Sequence, residues 1–305
     1  MANTKEIKSR MSSVQDTQKI TNAMYLIAST KLRKTKLELE ATRPYFDELG
    51  REMKRICRTV NDVESPYFFD DGGEPEPGLE GCYGYLVITA DKGLAGAYNQ
   101  NVLRETQRLL DMHDDNRVFV VGEYGRQYFR THGLPMEEDF DHTAQNPTLH
   151  RAREISSRLL DMYLAGELKK IFVIYTDYGN GMVMEAKSAR LLPFHRSDFE
   201  PGKQEKPVKE PFTFFPDVDT VLDSIVPSYI MGFVYGALVE SFCSEQNARM
   251  TAMDSANDNA QKLLDELSVQ YNHVRQSAIT QEITEVSASA RAQKQRKQKM
   301  KEARS

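Results

Sequence analysis

Apolar residues recur at alternating steps of three and four along the first sixty positions, at Ile7, Met11, Val14, Tyr25, Ala28, Leu32, Leu39, Phe46, Leu49, Met53, Ile56 and Val60. Gln18, Thr21, Thr35 and Thr42 fill the remaining places of the same seam. A heptad pattern held for that long predicts a helix that faces a second helix along its length. The only comparable seam lies near the other end, at Leu264, Leu267, Tyr271, Val274 and Ala278, and resumes one position on at Ile279, Ile283, Val286 and Ala290. No Gly or Pro follows Gly236, and a periodic run well beyond about 25 residues reads as coiled coil rather than as an ordinary globular helix. The four polar seam residues make the pair weaker than a permanent zipper. They leave surface for other subunits, or they mark a mediocre intramolecular pair. Pro44 predicts a kink or break near Arg43, with the segment beyond it leaning away from the shaft.

The middle of the chain has a different rhythm. Residues 61–80 are turn-rich and acidic and read as a linker between the helix of residues 1–60 and a central domain of residues 81–216. Tyr85–Thr89, Arg117–Gly122 and Lys170–Tyr175 are buried-strand patterns, and they alternate with helical patterns at Tyr98–Met112, Tyr124–Thr131 and Pro147–Leu164. That alternation predicts a three-layer α/β domain with a largely parallel sheet. Asn180-Gly181 predicts a hairpin leading into an edge strand at Val183–Leu192. Pro193 to Pro216 reads as a loop, Asp219 to Val226 as a short helix, and Pro227 as a first-turn residue of the long helix. The C-terminal coiled-coil segment spans residues 217–290, and residues 291–305 form a basic extension.

Composition narrows the class. With 305 residues, 40% hydrophobic and 28% charged, the chain can bury a core and build more than one structural unit. It shows no basic-then-apolar leader and no run of 18 apolar residues, so neither a signal peptide nor a membrane span is expected. Cys57, Cys82 and Cys243 are odd in number and far apart, which fits reduced packing thiols. The net charge of −5 conceals an asymmetry: residues 1–36 carry +6, residues 291–305 another +6, and the rest −17. Two basic ends on an acidic body imply action in one place against an acidic partner or a nucleic acid.

Catalytic chemistry is hard to place. Gly93-Leu-Ala-Gly96 lacks the third glycine of a dinucleotide fingerprint, and no P-loop pattern occurs. The loop reads instead as a tight turn whose small residues let a strand and a helix pack. The six histidines never take metal-ligand spacing, and no triad or paired-carboxylate site emerges. No catalytic residue, cofactor or metal is expected. Two readings of other classes stay open at this point. A nucleic-acid-binding coiled coil would explain the basic tail, although no base-reading motif accompanies it. A nucleotide-dependent α/β enzyme would need the Gly93 loop to hold phosphate.

Several segments nevertheless resemble one family. Lys19-Ile-Thr-Asn-Ala-Met24, Lys31-Leu-Arg33, Thr89-Ala-Asp-Lys-Gly-Leu-Ala-Gly-Ala-Tyr-Asn99, Ala248-Arg-Met-Thr-Ala-Met253, Asn257-Asp-Asn-Ala260, Tyr271-Asn272 and Val274 through Glu285 are similar to the gamma subunits of bacterial-type F1Fo ATP synthases, up to about Ala290. The resemblance implies an antiparallel coiled coil of the terminal helices beside a Rossmann-like α/β domain. It implies a rotor that turns inside a ring of alpha and beta subunits, with epsilon and the c-ring at its foot. It also implies a peripheral position on the cytoplasmic face of the cell membrane, reached only through the c-ring, and no nucleic-acid partner. Carried over by motif, Met24 passes an acidic loop of beta, assisted by Lys19, Lys31, Arg33 and Lys34, while Arg275, Gln276 and Thr280 form a polar catch against beta. Phe212 and Phe215 lie toward the c-ring.

Three departures qualify the match. No regulatory cysteine pair lies between Pro193 and Pro216, so no thiol switch is expected. Phe215 stands where family members often carry an acidic residue before the proline, which puts the polar contact to the c-ring loop in doubt. The chain also runs on through Lys301 past the family's usual end, and a peripheral electrostatic role or a solvated end are both open for that tail.

Overall fold

A computed structural model describes residues 4–59, 65–68, 81–179, 184–195, 214–215 and 217–302. Val60, most of the 61–80 linker, the Asn180-Gly181 turn, most of the Pro193–Pro216 loop, Phe212 and the Cys57 side chain lie outside the described residues. The chain divides into two compact units, Met1–Leu26 with Met253–Ser305, and Ile27–Ala252. Two long helices contribute to both: α1, Thr4–Thr59, and α5, Val218–Glu302.

In the first unit, Gln18 Nε2 donates to Gln261 Oε1 at 3.4 Å and the Thr21 hydroxyl donates to Asn257 Oδ1. Position rises on α1 as it falls on α5, so the pair is antiparallel. Ile7, Met253, Leu264 and Leu267 are buried, and Met11, Val14, Tyr25, Tyr271 and Val274 are half-buried. The seam predicted on α5 does not stay covered to Ala290. In this register the start of α1 lies opposite about Val274, and every residue from Arg275 to Lys294 is exposed, with Ile279 at 44%, Ile283 at 61% and Val286 at 69%. The apolar stripe is present, but α1 has ended and nothing else described in the chain covers it.

The second unit is built on a four-stranded sheet in the order β2-β1-β3-β4. β1 (Tyr83–Ile88), β2 (Asn116–Val121) and β3 (Lys170–Asp177) are parallel, and β4 (Glu185–Leu192) pairs antiparallel with β3. The predicted edge strand is therefore present and antiparallel to β3, while the Asn180-Gly181 turn predicted to lead into it lies outside the described residues. Period-two alternation sends Tyr85, Val87, Val118, Val120 and Ile174 to one face, where Val102, Leu103 and Phe129 of α2 (Tyr98–Leu110) and α3 (Glu123–His132) cover them. Leu86, Ile88, Phe119, Val121, Ile171 and Val173 point to the other face, against α4 (Leu149–Leu164) and the buried sides of α1 and α5. The three layers follow from the strand pattern.

Both prolines behave differently from expectation. α1 runs unbroken through Pro44, and beyond it Met53 and Ile56 are 0% and 3% exposed rather than leaning away. Phe46 of the next turn sits so close to Gly232 that a Cβ there would meet its ring at 2.3 Å. This close approach of the helices offsets the hydrogen bond Pro44 removes. Likewise Asp219–Val226 is not a separate helix, and Pro227 lies inside α5. Leu222, Val226, Ile230, Val234 and Leu238 form one buried stripe through the proline, and packing on both sides of it outweighs the local defect. Asp217, whose Oδ1 accepts from the Thr220 N–H at 2.8 Å, supplies the start.

An 18-residue window of α5 has a mean hydropathy of 1.4, enough by composition to cross a membrane. In this fold α5 supplies that buried stripe to the core of the second unit.

Candidate functional site

The loop after β1 occupies the carboxyl end of the sheet, where doubly wound proteins place their ligands. Here it is committed to protein. The Thr89 hydroxyl donates to Val121 O at 2.9 Å and accepts from the Gly125 N–H at 3.0 Å. Asp91 accepts from the backbone N–H groups of Glu123, Ala144 and Gln145, each at 3.1 Å, and from the Thr143 hydroxyl. Its carboxylate thus ties the loop to the N-terminus of α3, where a negative charge is favoured, and to the 143–145 turn. Asn99 Oδ1 accepts from the Ala90 N–H at 2.9 Å. Gly122 must be glycine: its φ is +97°, and a Cβ would fall 2.5 Å from Thr89 O.

α5 closes the other side of the loop. Arg249 Nη2 donates to Lys92 O at 3.2 Å and Gly93 O at 3.0 Å, and Nη1 donates to Glu245 Oε1 at 2.6 Å. Ala90, Ala95 and Tyr98 pack with Ala248. Small residues in the loop and at position 248 allow this approach, and carbonyls rather than N–H groups face the helix. The loop grips a guanidinium; it does not present a phosphate cradle toward α5. Burial raises the Glu245 carboxyl above the ordinary range, and Arg249 draws it back. Burial also pushes the Tyr98 hydroxyl far up, with Glu245 adding to the shift. Sequence reading missed the Arg249 anchor. Its one signal is the i, i+4 spacing of Glu245 and Arg249, on a face of α5 that also buries Gln246.

Cys82 and Cys243 are poor nucleophiles. Burial, then Asp115, pushes the Cys82 thiol up to about 11, and burial does the same for Cys243.

The residues singled out by motif lie on the helices as follows. Lys19 is exposed and paired with Asp16 at 3.0 Å, and Met24 is half-buried, both in the first unit. Arg275, Gln276 and Thr280 are exposed on the part of α5 that α1 does not reach, with the Thr280 hydroxyl donating to Gln276 O at 2.9 Å. In the second unit Lys31 is half-buried and its charge acts on Glu245, so it lies near the Arg249 anchor. Arg33 and Lys34 are exposed, Lys34 standing 3.8 Å from Glu38. Phe215 is 91% exposed.

Residues 3–292 match the family model described as ATP synthase. The ATP synthase gamma chain of Acetivibrio thermocellus is 39% identical over 299 residues, covering 96% of this chain and all of that one. That of Ruminiclostridium cellulolyticum is 39% identical over 293 residues, covering 95% and 98%. Among solved structures, a chain of the Euglena gracilis mitochondrial ATP synthase OSCP/F1/c-ring assembly superposes with a TM-score of 0.65 at 14% identity, covering 95% of this chain and 94% of that one. A chain of the Tetrahymena thermophila central stalk and c-ring does so at 0.57 and 23%, covering 78% and 99%. Match, identity and coverage agree with two long helices bracketing an α/β domain, and the chain belongs to the ATP synthase gamma-chain family.

Proposed function

We propose that this chain is the turning shaft of an ATP synthase and holds no catalytic site of its own. The observation that carries the reading is the bare stretch of α5 after Val274, exposed all round yet bearing Ile279, Ile283 and Val286 on one stripe. A lone helix with an apolar stripe is marginal in water and calls for a surrounding partner. In this reading the partner is the ring of alpha and beta subunits. The shaft is not threefold, so it presents a different face to each beta subunit and holds the three catalytic sites in different states. Coupling then arises from contacts that differ between states.

Met24, with Lys19, Lys31, Arg33 and Lys34 beside it along α1, faces an acidic loop of beta, where opposite charge favours approach. Arg275, Gln276 and Thr280 make the polar catch higher up; their exposure and shared helix face support this. Epsilon and the c-ring bind at the foot, toward Phe212 and Phe215, and the exposed ring of Phe215 supports an apolar contact there. Ion flow through the membrane sector then turns the chain on the cytoplasmic face of the cell membrane.

The test is co-purification with two P-loop-bearing subunits as an ATP-hydrolysing complex, with a bead attached to the α/β domain turning during hydrolysis. The isolated chain is expected to hydrolyse no ATP. Turnover by the pure chain that is lost on Asp91→Ala or Lys92→Ala would revive the nucleotide-enzyme reading and sink this one.

A further inference from the structure

A cavity of about 110 Å³ lies inside the second unit, where α2, the sheet and α5 meet. Ala97, Tyr98 and Asn101 at the start of α2 form one wall, Thr176 of β3 and Ala186 of β4 another, and Ala248 of α5 closes it with Met184, which stands just before β4. Thr176 and Tyr98 are 4% and 6% exposed, whereas Ala97 is exposed and Asn101, Met184 and Ala186 are half-buried. The cavity thus has a buried inner end and an outer end that solvent reaches. Met184 Sδ accepts from Asn247 Nδ2 at 3.6 Å, which holds the thioether to α5.

Thr176 is the residue the fold leaves unsatisfied. Its backbone is bonded to α5: the N–H donates to Ser241 Oγ at 3.2 Å, and the carbonyl accepts from the Ser244 hydroxyl at 3.4 Å. Its own hydroxyl is buried and has no partner among the described residues, a costly state for a polar group. Tyr98 is close enough for Thr176 to influence its ionisation, yet the Tyr98 hydroxyl donates elsewhere, to Ile88 O, and only at 3.5 Å. One staggered step of χ1 sets the Thr176 hydroxyl toward a guest in the cavity.

Size and chemistry limit that guest. The lining side chains are uncharged, so nothing in them grips a phosphate or a carboxylate. At the ~30 Å³ share of a water for each non-hydrogen atom, the space takes about four, far too few for a nucleotide. Water fits by size but poorly by chemistry, because a buried water needs about two to four polar partners. Ala97, Ala186 and Ala248 contribute methyls, and Met184 a weakly accepting thioether. Poorly bonded waters are displaced with a gain in affinity when an apolar group takes their place. A molecule with one hydroxyl on a small carbon body meets both halves of the lining.

We infer that this cavity is a binding site for a neutral short-chain alcohol, whose hydroxyl bonds Thr176 and whose carbon body lies against Ala186, Ala248 and Met184. The inference is independent of the rotor reading. Because the walls come from α2, from the sheet and from α5, an occupant ties the α/β layers more firmly to the long helix.

The experiment uses the full chain with isotope-labelled methionine and alanine methyls, and 2-propanol as the probe. The Met184 methyl resonance, identified by its loss in Met184→Leu, should shift saturably at roughly millimolar 2-propanol, and the methyls of the first unit should stay still. Thr176→Val keeps the shape and removes the hydroxyl, so affinity should fall about three- to tenfold. Its folding stability should not fall, since that hydroxyl has no partner to lose. Ala186→Leu fills the space and should abolish the shift, with methyl resonances elsewhere reporting that the variant is folded; if it does not fold, Thr176→Val decides alone. A shift that grows linearly with 2-propanol and never saturates overturns the inference, because the cavity then holds water only. Unchanged affinity in Thr176→Val overturns it too, as does saturable binding of xenon without binding of the alcohol, which would mark the cavity as apolar and dry.

Discussion

Arg249 holds the carbonyl oxygen of Gly93 at 3.0 Å, so the loop after β1 is fastened to α5 by its backbone and not only by apolar packing. The same guanidinium neutralises Glu245, which is 3% exposed. Arg249→Ala would leave a buried carboxylate without its cation and two carbonyls without a donor. The expected cost is about 3–5 kcal/mol, read from denaturant unfolding of the isolated chain. Arg249→Lys should recover only part of it, since an ammonium cannot reproduce the planar fork. A loss below about 1 kcal/mol for the alanine variant would mean that water screens the pair.

Glu240 supplies a pH signature. Burial, then Asp177, raises its carboxyl above the ordinary value, while Arg43 and Lys187 pull it down less. With the folded value above the unfolded one, folding favours the protonated form. That contribution is fully present below the unfolded carboxyl range and is lost as pH rises through the folded value. Glu240→Gln mimics the protonated state. The variant should therefore be more stable than the parent at neutral pH, with the difference closing near pH 4. Equal stability at both pH values would show the carboxylate to be well solvated.

The sequence made some of this structure legible and concealed other parts, for physical reasons. Each described seam position of α1 from Ile7 to Ile56 is buried or half-buried, because a heptad repeat encodes its own face. The strand alternation that put Val87 and Leu86 on opposite faces was equally readable. Where α1 stops covering α5 was not, since coverage depends on register between segments more than two hundred residues apart. Pro44 and Pro227 misled because tertiary packing, through Phe46 on Gly232 and the stripe around Val226, outweighs a local rule. Arg249 was not readable as the anchor of the loop because its partners there are the Lys92 and Gly93 carbonyls, which leave no trace in composition; only its pairing with Glu245 one turn away shows in the sequence.

The polar catch is testable in the assembled complex. Gln276→Ala or Thr280→Ala removes one or two hydrogen bonds worth about 0.5 to 1.5 kcal/mol each. Turnover should fall while the yield of complex stays near that of the parent. Poor assembly with full turnover in whatever complex forms would make these residues structural.

The last prediction concerns the polar layer of the antiparallel pair, where the Thr21 hydroxyl meets Asn257 Oδ1 and Gln18 meets Gln261. No residue of α1 between Val14 and Leu26 is fully buried, and Ala256, Asn257 and Ala260 face this section from α5 only half-buried. Removing one partner of a hydrogen bond costs the desolvation of the other, whereas replacing both with apolar groups of similar shape can be neutral or stabilising. Thr21→Val and Asn257→Leu should each lower stability by about 0.5 to 1.5 kcal/mol. The double variant should recover the loss, giving a coupling of about 1 kcal/mol in a double-mutant cycle followed by the helical signal on heating. Strictly additive losses would mean that water, rather than the partner side chain, satisfies each group, and that this layer contributes nothing to holding α1 against α5.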